Sequence, residues 1–356
     1  MRIDFLTHLT FGLLESCQRC EFHNVDEIRF PPSSSPFSLR AFIRSKVVEL
    51  ARARGFYRSS PIACDVLREV LDIDGLDRTY ELLADQTSRD LFVKILAYRI
   101  LGHQHVRLPL NDPKYWERRA SIHNLIEKRD TVKDVPLLGS LNLYNYKGMR
   151  LHMHQLNVEA LMLDQYRCQR AGVGVQSGDI VIDAGGCWGD TALDFARDAA
   201  HVFCFECMPS NIGVIQQNLA LNPSLSNKVT VIQRALWSRS GETIIFKDAG
   251  PGSRADAGSG VVVPTGAIDD FVTEQSVPRV DFIKMDIEGA EPEALKGALR
   301  TIRNCRPQLA ISVYHDIEHF ASIPRWISGL DLGYRLYLDH FTIHAEETIV
   351  FARVDR

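Results

Sequence analysis

The second half of the chain alternates short apolar runs with stretches that carry apolar residues at helical spacing. Short apolar runs are typical of buried strands, and strands separated by helices predict parallel βαβ units. The predicted strands are residues 180–183, 201–206, 229–234, 280–286, 308–313, 335–338 and 348–352. The predicted helices are residues 191–198, 210–221, 291–302 and 323–330.

The last two predicted strands differ from the others, because no helical stretch separates residues 335–338 from residues 348–352. Strands joined without a crossover must be antiparallel neighbours. The pattern therefore predicts an α/β fold, whose seven-stranded sheet is parallel except for its reversed last strand.

The first part of the chain shows a different spacing of apolar residues. Residues 39–102 show mostly helical spacing, with an amphipathic segment at 77–85 and a helix start at 87–90, and a linker or loop is expected at 31–36. Residues 112–148 mix charges and aromatics with little periodicity, and a helix is expected from Gln155 to Ala171, ending at Gly172. We expect a mostly helical region over residues 1–150 and an α/β domain over residues 151–356.

Composition narrows the class of protein. The chain has 356 residues, 45% of them hydrophobic and 24% charged, as in an ordinary globular protein with room for two domains. The formal net charge of -4 gives no electrostatic reason to expect a nucleic-acid partner. No apolar run approaches the length of a membrane span, and the eight cysteines are expected to be reduced thiols, which predicts a cytoplasmic protein.

A glycine-rich turn is the most informative motif. Residues 180–183 end in Asp183, and the turn Ala184-Gly185-Gly186-Cys187-Trp188-Gly189-Asp190 follows directly. Such a turn lets backbone approach a ligand closely, and Glu206 closes the next strand, where an acid can hold two ribose hydroxyls. A dinucleotide site needs the spacing G-x-G-x-x-G, which Cys187 breaks. The ligand is therefore expected to be a nucleoside without phosphates, for which S-adenosylmethionine is the leading candidate.

The expected cofactor residues surround this turn. Asp183 and the glycines would face the amino-acid part of the cofactor, with a carboxylate matched to its ammonium group. Glu206 would hold the ribose, and side chains after the second and third strands would border the adenine. The full expected set is Asp183, Gly185, Gly186, Gly189, Asp190, Thr191, Glu206, Met208, Asn211 and Ala235.

A second group of polar residues follows the fourth strand. Period-two alternation puts Lys284 and Asp286 on one face, and a lysine inside a buried strand is costly unless it is paired or functional. Lys284 is expected either to pair with Asp286 or to act as a base with a lowered pKa. Capping of the following helix explains Glu291 without a functional role.

His315 follows the fifth strand, where an imidazole would suit removal of a proton from a hydroxyl group. Asp286, His315 and Lys284 are thus the candidate catalytic residues. Alternatively, oxygen-rich ligation by Asp286, Glu288, His315 and Asp316 would hold a divalent cation such as Mg²⁺.

The motifs resemble one known family in particular. The segment Val280-Asp281-Phe282-Ile283-Lys284-Met285-Asp286-Ile287-Glu288-Gly289-Ala290-Glu291, the glycine turn, Ala267-Ile268-Asp269-Asp270-Phe271 and the closing Glu346-Glu347-Thr348 look like those of the FkbM-type S-adenosylmethionine-dependent methyltransferases. The match extends over about residues 179–352. It implies a class I methyltransferase (Rossmann-like) fold, with a reversed last strand as in the pattern above.

The resemblance implies O-methylation of a hydroxyl on a sugar, a surface glycan or a polyketide-type small molecule. It marks Asp183, Gly185, Gly189 and Glu206 as cofactor residues and Asp286 as the acid near the methyl group, and Cys187 and Trp188 are expected to narrow the cofactor mouth. Residues 1–150 would recognise the acceptor or form a homodimer contact. The alternatives are a methyltransferase acting on protein or RNA, a nicotinamide oxidoreductase, and a non-catalytic module that binds S-adenosylmethionine.

Overall fold

The structure is a computed structural model that describes residues 3–17, 70, 72–103, 105–135, 138–247, 252–255 and 260–355. The loop expected at residues 31–36 and the helical pattern expected over residues 39–69 lie outside the described residues. The helices are α1 (Ile3–Cys17), α2 (Leu76–Leu82), α3 (Gln86–Leu101), α4 (Pro113–Ser121), α5 (Gln155–Met162), α6 (Asp190–Ala196), α7 (Pro209–Leu221), α8 (Pro223–Ser226), α9 (Ile268–Glu274), α10 (Glu291–Lys296), α11 (Leu299–Cys305) and α12 (His319–Ser328). The strands are β1 (Ile126–Val135), β2 (Gly139–Tyr146), β3 (Met149–Met153), β4 (Ile180–Ala184), β5 (His201–Phe205), β6 (Val229–Ile232), β7 (Ala235–Leu236), β8 (Thr243–Lys247), β9 (Arg254–Ala255), β10 (Val261–Gly266), β11 (Phe282–Met285), β12 (Gln308–Ser312), β13 (Tyr334–His340) and β14 (Thr348–Val354).

The main sheet has seven strands in the order β13-β14-β12-β11-β4-β5-β6. Strands β12, β11, β4, β5 and β6 pair in parallel, whereas β14 pairs antiparallel with both β12 and β13. The predicted α/β fold with a reversed last strand is therefore confirmed. In this arrangement the chain order changes direction between β4 and β11, and a crevice forms there beyond the carboxyl ends of the strands.

Two helices in this half of the chain differ from the predictions. The helix predicted at residues 291–302 is two helices, α10 and α11, separated at Gly297. A Cβ atom at Gly297 would lie 2.1 Å from the carbonyl oxygen of Trp237, so the two segments meet that backbone closely only because the residue is glycine. Helix α12 begins four residues earlier than predicted, at His319.

The N-terminal helices share an apolar core with the main sheet. Leu91, Phe92 and Leu96 of α3 belong to the same buried cluster as Leu336 of β13 and Val350 of β14. The Ser88 hydroxyl also accepts a hydrogen bond from the Leu338 amide at 2.9 Å. The domain division at residue 150 stays a prediction. Among the described residues, no helix is both long and apolar enough to cross a membrane.

Residues 126–153 form a three-stranded antiparallel sheet in the order β1-β2-β3, which the sequence pattern did not indicate. Strand β1 is mostly exposed, and its pairing with β2 is interrupted by register shifts. The sequence of β1 shows neither the alternation of a half-buried strand nor a continuous apolar run. Its pattern of residues therefore did not indicate a strand.

Asn218 of α7 and Asn222, the residue that follows this helix, attach the small sheet to the α/β part of the chain. The Asn218 amide accepts a hydrogen bond from the His152 amide at 2.7 Å and donates to the His152 carbonyl at 3.1 Å. Asn222, one turn later, makes the same pair of bonds with Arg150. Its side-chain amide accepts a hydrogen bond from the Arg150 amide at 3.0 Å and donates to the Arg150 carbonyl at 2.8 Å. Each asparagine side chain thus pairs with the backbone amide and carbonyl of one β3 residue, as a neighbouring strand would.

The segment after β3 departs from the prediction of one helix from Gln155 to Ala171. Helix α5 ends at Met162, and Asp164 follows in the left-handed region with a φ of 50°. A short 3-10 turn covers Gln169–Ala171, and only Gly172 caps a helical segment as expected. The break turns Gln165 and Tyr166 towards the carboxyl end of β11.

We predict that Asn218→Ala destabilises the protein by roughly 2–4 kcal/mol, because the amide and carbonyl of His152 and the carbonyl of Trp188, to which Asn218 also donates at 2.9 Å, would all lose their partner. Gln217→Ala on the exposed side of the same helix is the matched control, with an expected change within about 0.5 kcal/mol. Urea unfolding of the two variants measures the difference. Equal stabilities would contradict the attachment of β3 through Asn218.

Candidate active site

Two adjoining crevices lie at the carboxyl ends of β4, β5 and β11. The Glu206 crevice, of about 550 Å³, is lined by Gly185, Cys187, Phe205, Glu206, Cys207, Met208, Asn211, Arg234, Ala235, Leu236, Phe246, Ser253, Asp286, Ile287, Glu288 and Ala290. The Glu347 crevice, of about 960 Å³, is lined by Leu138, His154, Leu156, Asn157, Ala160, Gln165, Tyr166, Gly185, Cys187, Asp190, Thr191, Gly252, Lys284, Asp286, Glu288, Tyr314 and Glu347. Gly185, Cys187, Asp286 and Glu288 line both, so Asp286 lies where the two crevices join.

The glycine turn packs against the neighbouring strands. The amides of Gly185 and Gly186 both donate to the carbonyl of Phe205, at 3.0 and 2.9 Å. A Cβ atom at Gly185 would lie 1.9 Å from the Asp286 carbonyl oxygen, and one at Gly186 would lie 2.2 Å from the sulfur of Cys204. Close packing between neighbouring strands therefore requires glycine at both positions. Of the two, Gly185 also lines the crevices.

Glu206 lies at the base of its crevice and is almost fully buried. Its carboxylate accepts hydrogen bonds from the amides of Cys187, Cys207 and Met208 at 2.7–2.8 Å. Burial raises the pKa of this carboxyl despite these bonds. The structure brings Glu206 together with Met208, Asn211 and Ala235, as the sequence predicted for a nucleoside site.

Asp183 does not face either crevice, which differs from its expected place beside the cofactor ammonium. The residue is fully buried, and its carboxylate lies 3.0 Å from Lys284 Nζ and accepts a hydrogen bond from the Thr191 hydroxyl at 2.7 Å. Lys284 Nζ also donates to the Gly185 carbonyl at 2.5 Å. Through Lys284 and Thr191, Asp183 therefore stabilises the glycine turn from the interior of the protein.

Lys284 is not the base with a lowered pKa that the sequence suggested. Burial alone would lower its pKa, but the carboxylates of Asp183 and Asp286 outweigh burial and raise it. An ammonium group stabilised in this way keeps its proton. Lys284 therefore acts as a fixed positive charge between two carboxylates.

Asp190 is the carboxylate that the turn directs to the Glu347 crevice. It is almost fully buried, and Oδ2 accepts a hydrogen bond from the Asn157 amide at 3.3 Å. Oδ1 has no hydrogen-bond partner among the described residues. Burial raises the pKa of Asp190 to about 6. A buried carboxylate that lacks one partner fits a cationic ligand group better than an anionic one.

Asp286 is held by two phenols and a histidine. Tyr166 donates to Oδ2 at 2.6 Å, Tyr314 donates to Oδ1 at 3.1 Å, and His315 Nε2 lies 3.3 Å from Oδ1. Burial would raise the pKa of Asp286, but the charges of His315 and Lys284 and the phenol bonds hold it below its usual value. Asp286 is therefore ionised and fixed in orientation.

His315 is buried among carboxylates rather than poised as a free base. Nδ1 lies 3.0 Å from Glu291 Oε1, and Nε2 lies 3.7 Å from Glu288 Oε1. Burial lowers the pKa of His315, but Glu288, Glu291 and Asp286 together raise it to about 11. The imidazole already carries its proton near neutral pH, and this arrangement therefore does not favour His315 as the group that removes a proton from a substrate.

The predicted four-residue metal set does not assemble. Asp316 is exposed, and its side chain accepts a hydrogen bond from the amide of Glu318. Among the described residues, the side chains close enough to share an ion are Asp286, Glu291 and His315, with ligand atoms within 4.8 Å of one another. The imidazole of His315 already bridges two of these carboxylates, with Nδ1 3.0 Å from Glu291 and Nε2 3.3 Å from Asp286, and we assign no metal ligands here.

Other residues at the site were missed or misplaced by the sequence patterns. Tyr166 and Gln165 lay inside a predicted helix, and Glu347 was noted only as part of a closing motif. Trp188 was expected to narrow the cofactor mouth, but it is fully buried against Leu151 of the small sheet, and only Cys187 lines the crevices. A left-handed φ at Cys187 (47°), Glu288 (56°) and Glu347 (61°) marks three of the lining residues, and no sequence signal indicated it.

Residues 166–336 match the model of the methyltransferase FkbM domain. The resemblance of the sequence motifs to FkbM-type methyltransferases is therefore confirmed, and the chain carries a methyltransferase domain. Among proteins with curated functions, none matches the sequence.

Among solved structures, the chain is similar to the methyltransferase FkbM from Methylobacillus flagellatus KT, with a TM-score of 0.52, 17% identity, and coverage of 89% of this chain and 71% of that chain. At this identity the likeness shows the fold. Precorrin-6y C5,15-methyltransferase from Geobacter metallireducens GS-15 has a TM-score of 0.37, 12% identity, and coverage of 60% of this chain and 94% of that one. Magnesium protoporphyrin IX methyltransferase from Synechocystis, with bound S-adenosylmethionine, has a TM-score of 0.36, 15% identity, and coverage of 56% and 81%. The last two TM-scores are low, and neither likeness carries an argument about this chain.

We predict that His315 keeps its proton throughout the neutral range. Since its folded-state pKa is raised from 6.5 to about 11, its contribution to stability is complete below 6.5 and is lost as the pH rises through about 11. Imidazole ¹³C shifts, with the His315 signal identified by its loss in His315→Gln, measure the titration. His201, whose pKa burial lowers, is the internal control. Titration of His315 near pH 6.5 would contradict the charged cluster.

Asp190 should make the fold less stable as the pH rises. Its folded-state pKa is raised from 3.8 to about 6, so its stabilising contribution is complete below 3.8 and is lost as the pH rises to about 6. Relative to Asp190→Asn, the wild type should lose roughly 1–2 kcal/mol of unfolding free energy between pH 5 and 7.5. Urea unfolding of both proteins at the two pH values measures this difference. Parallel changes in the two proteins would rule out a buried, ionisable Asp190.

Proposed function

We propose that this chain, which carries an FkbM methyltransferase domain over residues 166–336, transfers the methyl group of S-adenosylmethionine to a hydroxyl oxygen of a sugar or polyketide-type small molecule. The observation that carries the proposal is the position of Asp286. Its ionised carboxylate lies where the Glu206 crevice joins the larger Glu347 crevice.

The residues of the Glu206 crevice fit the nucleoside part of this cofactor. Glu206 would accept hydrogen bonds from the ribose hydroxyls, and Met208, Asn211 and Ala235 would surround the base. Asp190, with its unpartnered oxygen, would bind the cofactor ammonium group.

The charges of the site favour a sulfonium nucleoside over a dinucleotide. The cations that line the two crevices are already engaged, Lys284 with Asp183 and Arg234 with Glu274 at 3.1 Å. Carboxylates line both crevices, through Glu206, Asp190 and Asp286. A phosphate group would therefore meet negative charge, whereas a positively charged ligand is complemented.

The bound cofactor supplies an electrophilic methyl group on a positively charged sulfur. The protein must then orient an acceptor hydroxyl and accept its proton. We assign proton acceptance to Asp286, because Lys284 and His315 both hold their own protons. Tyr166 and Tyr314 fix the direction of the carboxylate through their hydrogen bonds.

Calorimetry with S-adenosylhomocysteine tests the cofactor assignment. We expect the wild-type protein to bind it, and to give no heat with NAD under the same conditions, because the cations among the described residues that line the crevices are already paired with carboxylates and not available for a pyrophosphate. Binding of NAD in place of S-adenosylhomocysteine would overturn the proposal.

The role of Asp286 is tested by the release of S-adenosylhomocysteine from S-adenosylmethionine with a panel of methyl glycosides and macrolides. Asp286→Asn should lower turnover by at least about 100-fold, because the proton acceptor is lost, while cofactor binding persists. Asp281→Asn, at the opposite end of β11, is the matched control that should keep activity. Full turnover in Asp286→Asn would remove this residue from the mechanism.

A further inference from the structure

A continuous chain of hydrogen bonds leads from Asp286 to a second carboxylate. Tyr166 donates to Asp286 Oδ2 at 2.6 Å. The Gln165 amide donates to the Tyr166 hydroxyl at 3.2 Å and to Glu347 Oε2 at 2.7 Å. The four residues all line the Glu347 crevice. One buried network thus holds two carboxylates at the wall of one crevice.

The middle of this network is buried. Gln165 is 3% exposed and Tyr166 is 9% exposed, so the surrounding core restricts the conformations of both side chains. Burial raises the pKa of the Tyr166 phenol well above its usual value, and the charges of Asp286 and Glu347 raise it further. The phenol therefore stays protonated and keeps donating to Asp286.

The backbone directs Glu347 into the crevice. Glu347 has a left-handed φ of 61°, and its carbonyl accepts a hydrogen bond from the Phe341 amide at 3.0 Å, which closes the loop between β13 and β14. A glutamate is costly in this conformation, and such strain persists where the surroundings enforce it. The preceding residue, Glu346, does not line the crevice, and its charge acts on Arg99 instead.

We propose that Glu347 is a specificity-determining residue that binds a second hydroxyl group of the acceptor, with Gln165 as its positioning residue. The inference rests on the proposed function, since Asp286 would bind the hydroxyl that receives the methyl group. Ionised carboxylates accept hydrogen bonds and offer no donor. Two carboxylates held by one network therefore match a substrate with two hydroxyl donors, and the acceptor is a polyol.

The same arrangement discriminates against acceptors that lack the second hydroxyl. A site built to hydrogen-bond a substrate hydroxyl disfavours the analogue without it, because the carboxylate then loses one of its hydrogen-bond donors. An acceptor with a carboxylate or phosphate at this place would be repelled by Glu347. Acceptors are thus distinguished by the group that contacts Glu347, and not by the hydroxyl that receives the methyl group.

The test compares Glu347→Gln with Glu346→Gln as the matched control. Methyl glucoside, galactoside, mannoside and rhamnoside are assayed as acceptors, each beside its monodeoxy analogues, by release of S-adenosylhomocysteine. In the wild type, removal of one hydroxyl next to the methylated one should lower kcat/KM by roughly 10- to 100-fold. Glu347→Gln should lose this discrimination and show a raised KM with the parent glycoside, whereas Glu346→Gln should behave as the wild type.

Gln165→Leu tests the positioning role, because it keeps the bulk of the side chain and removes its donor. We expect a raised KM with little change in kcat, and a double variant Gln165→Leu/Glu347→Gln no worse than Glu347→Gln alone. Additive losses in the double variant would show that Gln165 acts independently of Glu347.

The outcomes separate this inference from the proposed function. Failure of the wild type to bind S-adenosylhomocysteine would refute the proposed function. Binding of S-adenosylhomocysteine with unchanged discrimination in Glu347→Gln would refute the assignment of Glu347 alone. Binding without methylation of any glycoside in the set would also refute the polyol assignment.

Discussion

The buried ion pair between Asp183 and Lys284 is the interaction on which the rest of the site depends. It joins the ends of β4 and β11, and the same lysine nitrogen bonds to the carbonyl of Gly185 in the turn above. Neither charge is tolerable in the core without the other, since an unpaired buried charge costs several kcal/mol. The pair therefore stabilises the junction of the two paired strands whose ends carry the glycine turn and Asp286.

This pairing also explains the electrostatics of the crevices. The lysine and His315 are both engaged with carboxylates inside the protein, so their charges stabilise Asp286. The carboxylates of Glu206, Asp190 and Glu347 line the crevice walls. The cations of the crevice walls are thus neutralised by ion pairs within the protein, whereas several carboxylates line the same walls, and such a surface complements a positively charged ligand.

The second crevice depends on parts of the chain outside the main sheet. The small sheet of β1, β2 and β3 is attached through Asn218 and Asn222, and Trp188 of the glycine turn packs into its core. The segment from Asn157 to Tyr166 then runs from this sheet to Asp286. The turn that contributes to the Glu206 crevice therefore also anchors the wall of the Glu347 crevice.

The sequence by itself determined the main sheet, its reversed last strand and the polar residues at the strand ends, because strand and helix periodicities are local properties of the chain. Glu206, Met208, Asn211, Ala235 and Asp286 could be assigned to the strand-end site for that reason. Only the tertiary structure decided that Asp183 faces inward, that His315 is surrounded by carboxylates, and that Tyr166 and Gln165 link Asp286 to Glu347. These properties depend on burial and on contacts between different elements, some of them between residues more than a hundred positions apart, such as Gln165 and Glu347. Periodicity along the chain carries no information about such contacts.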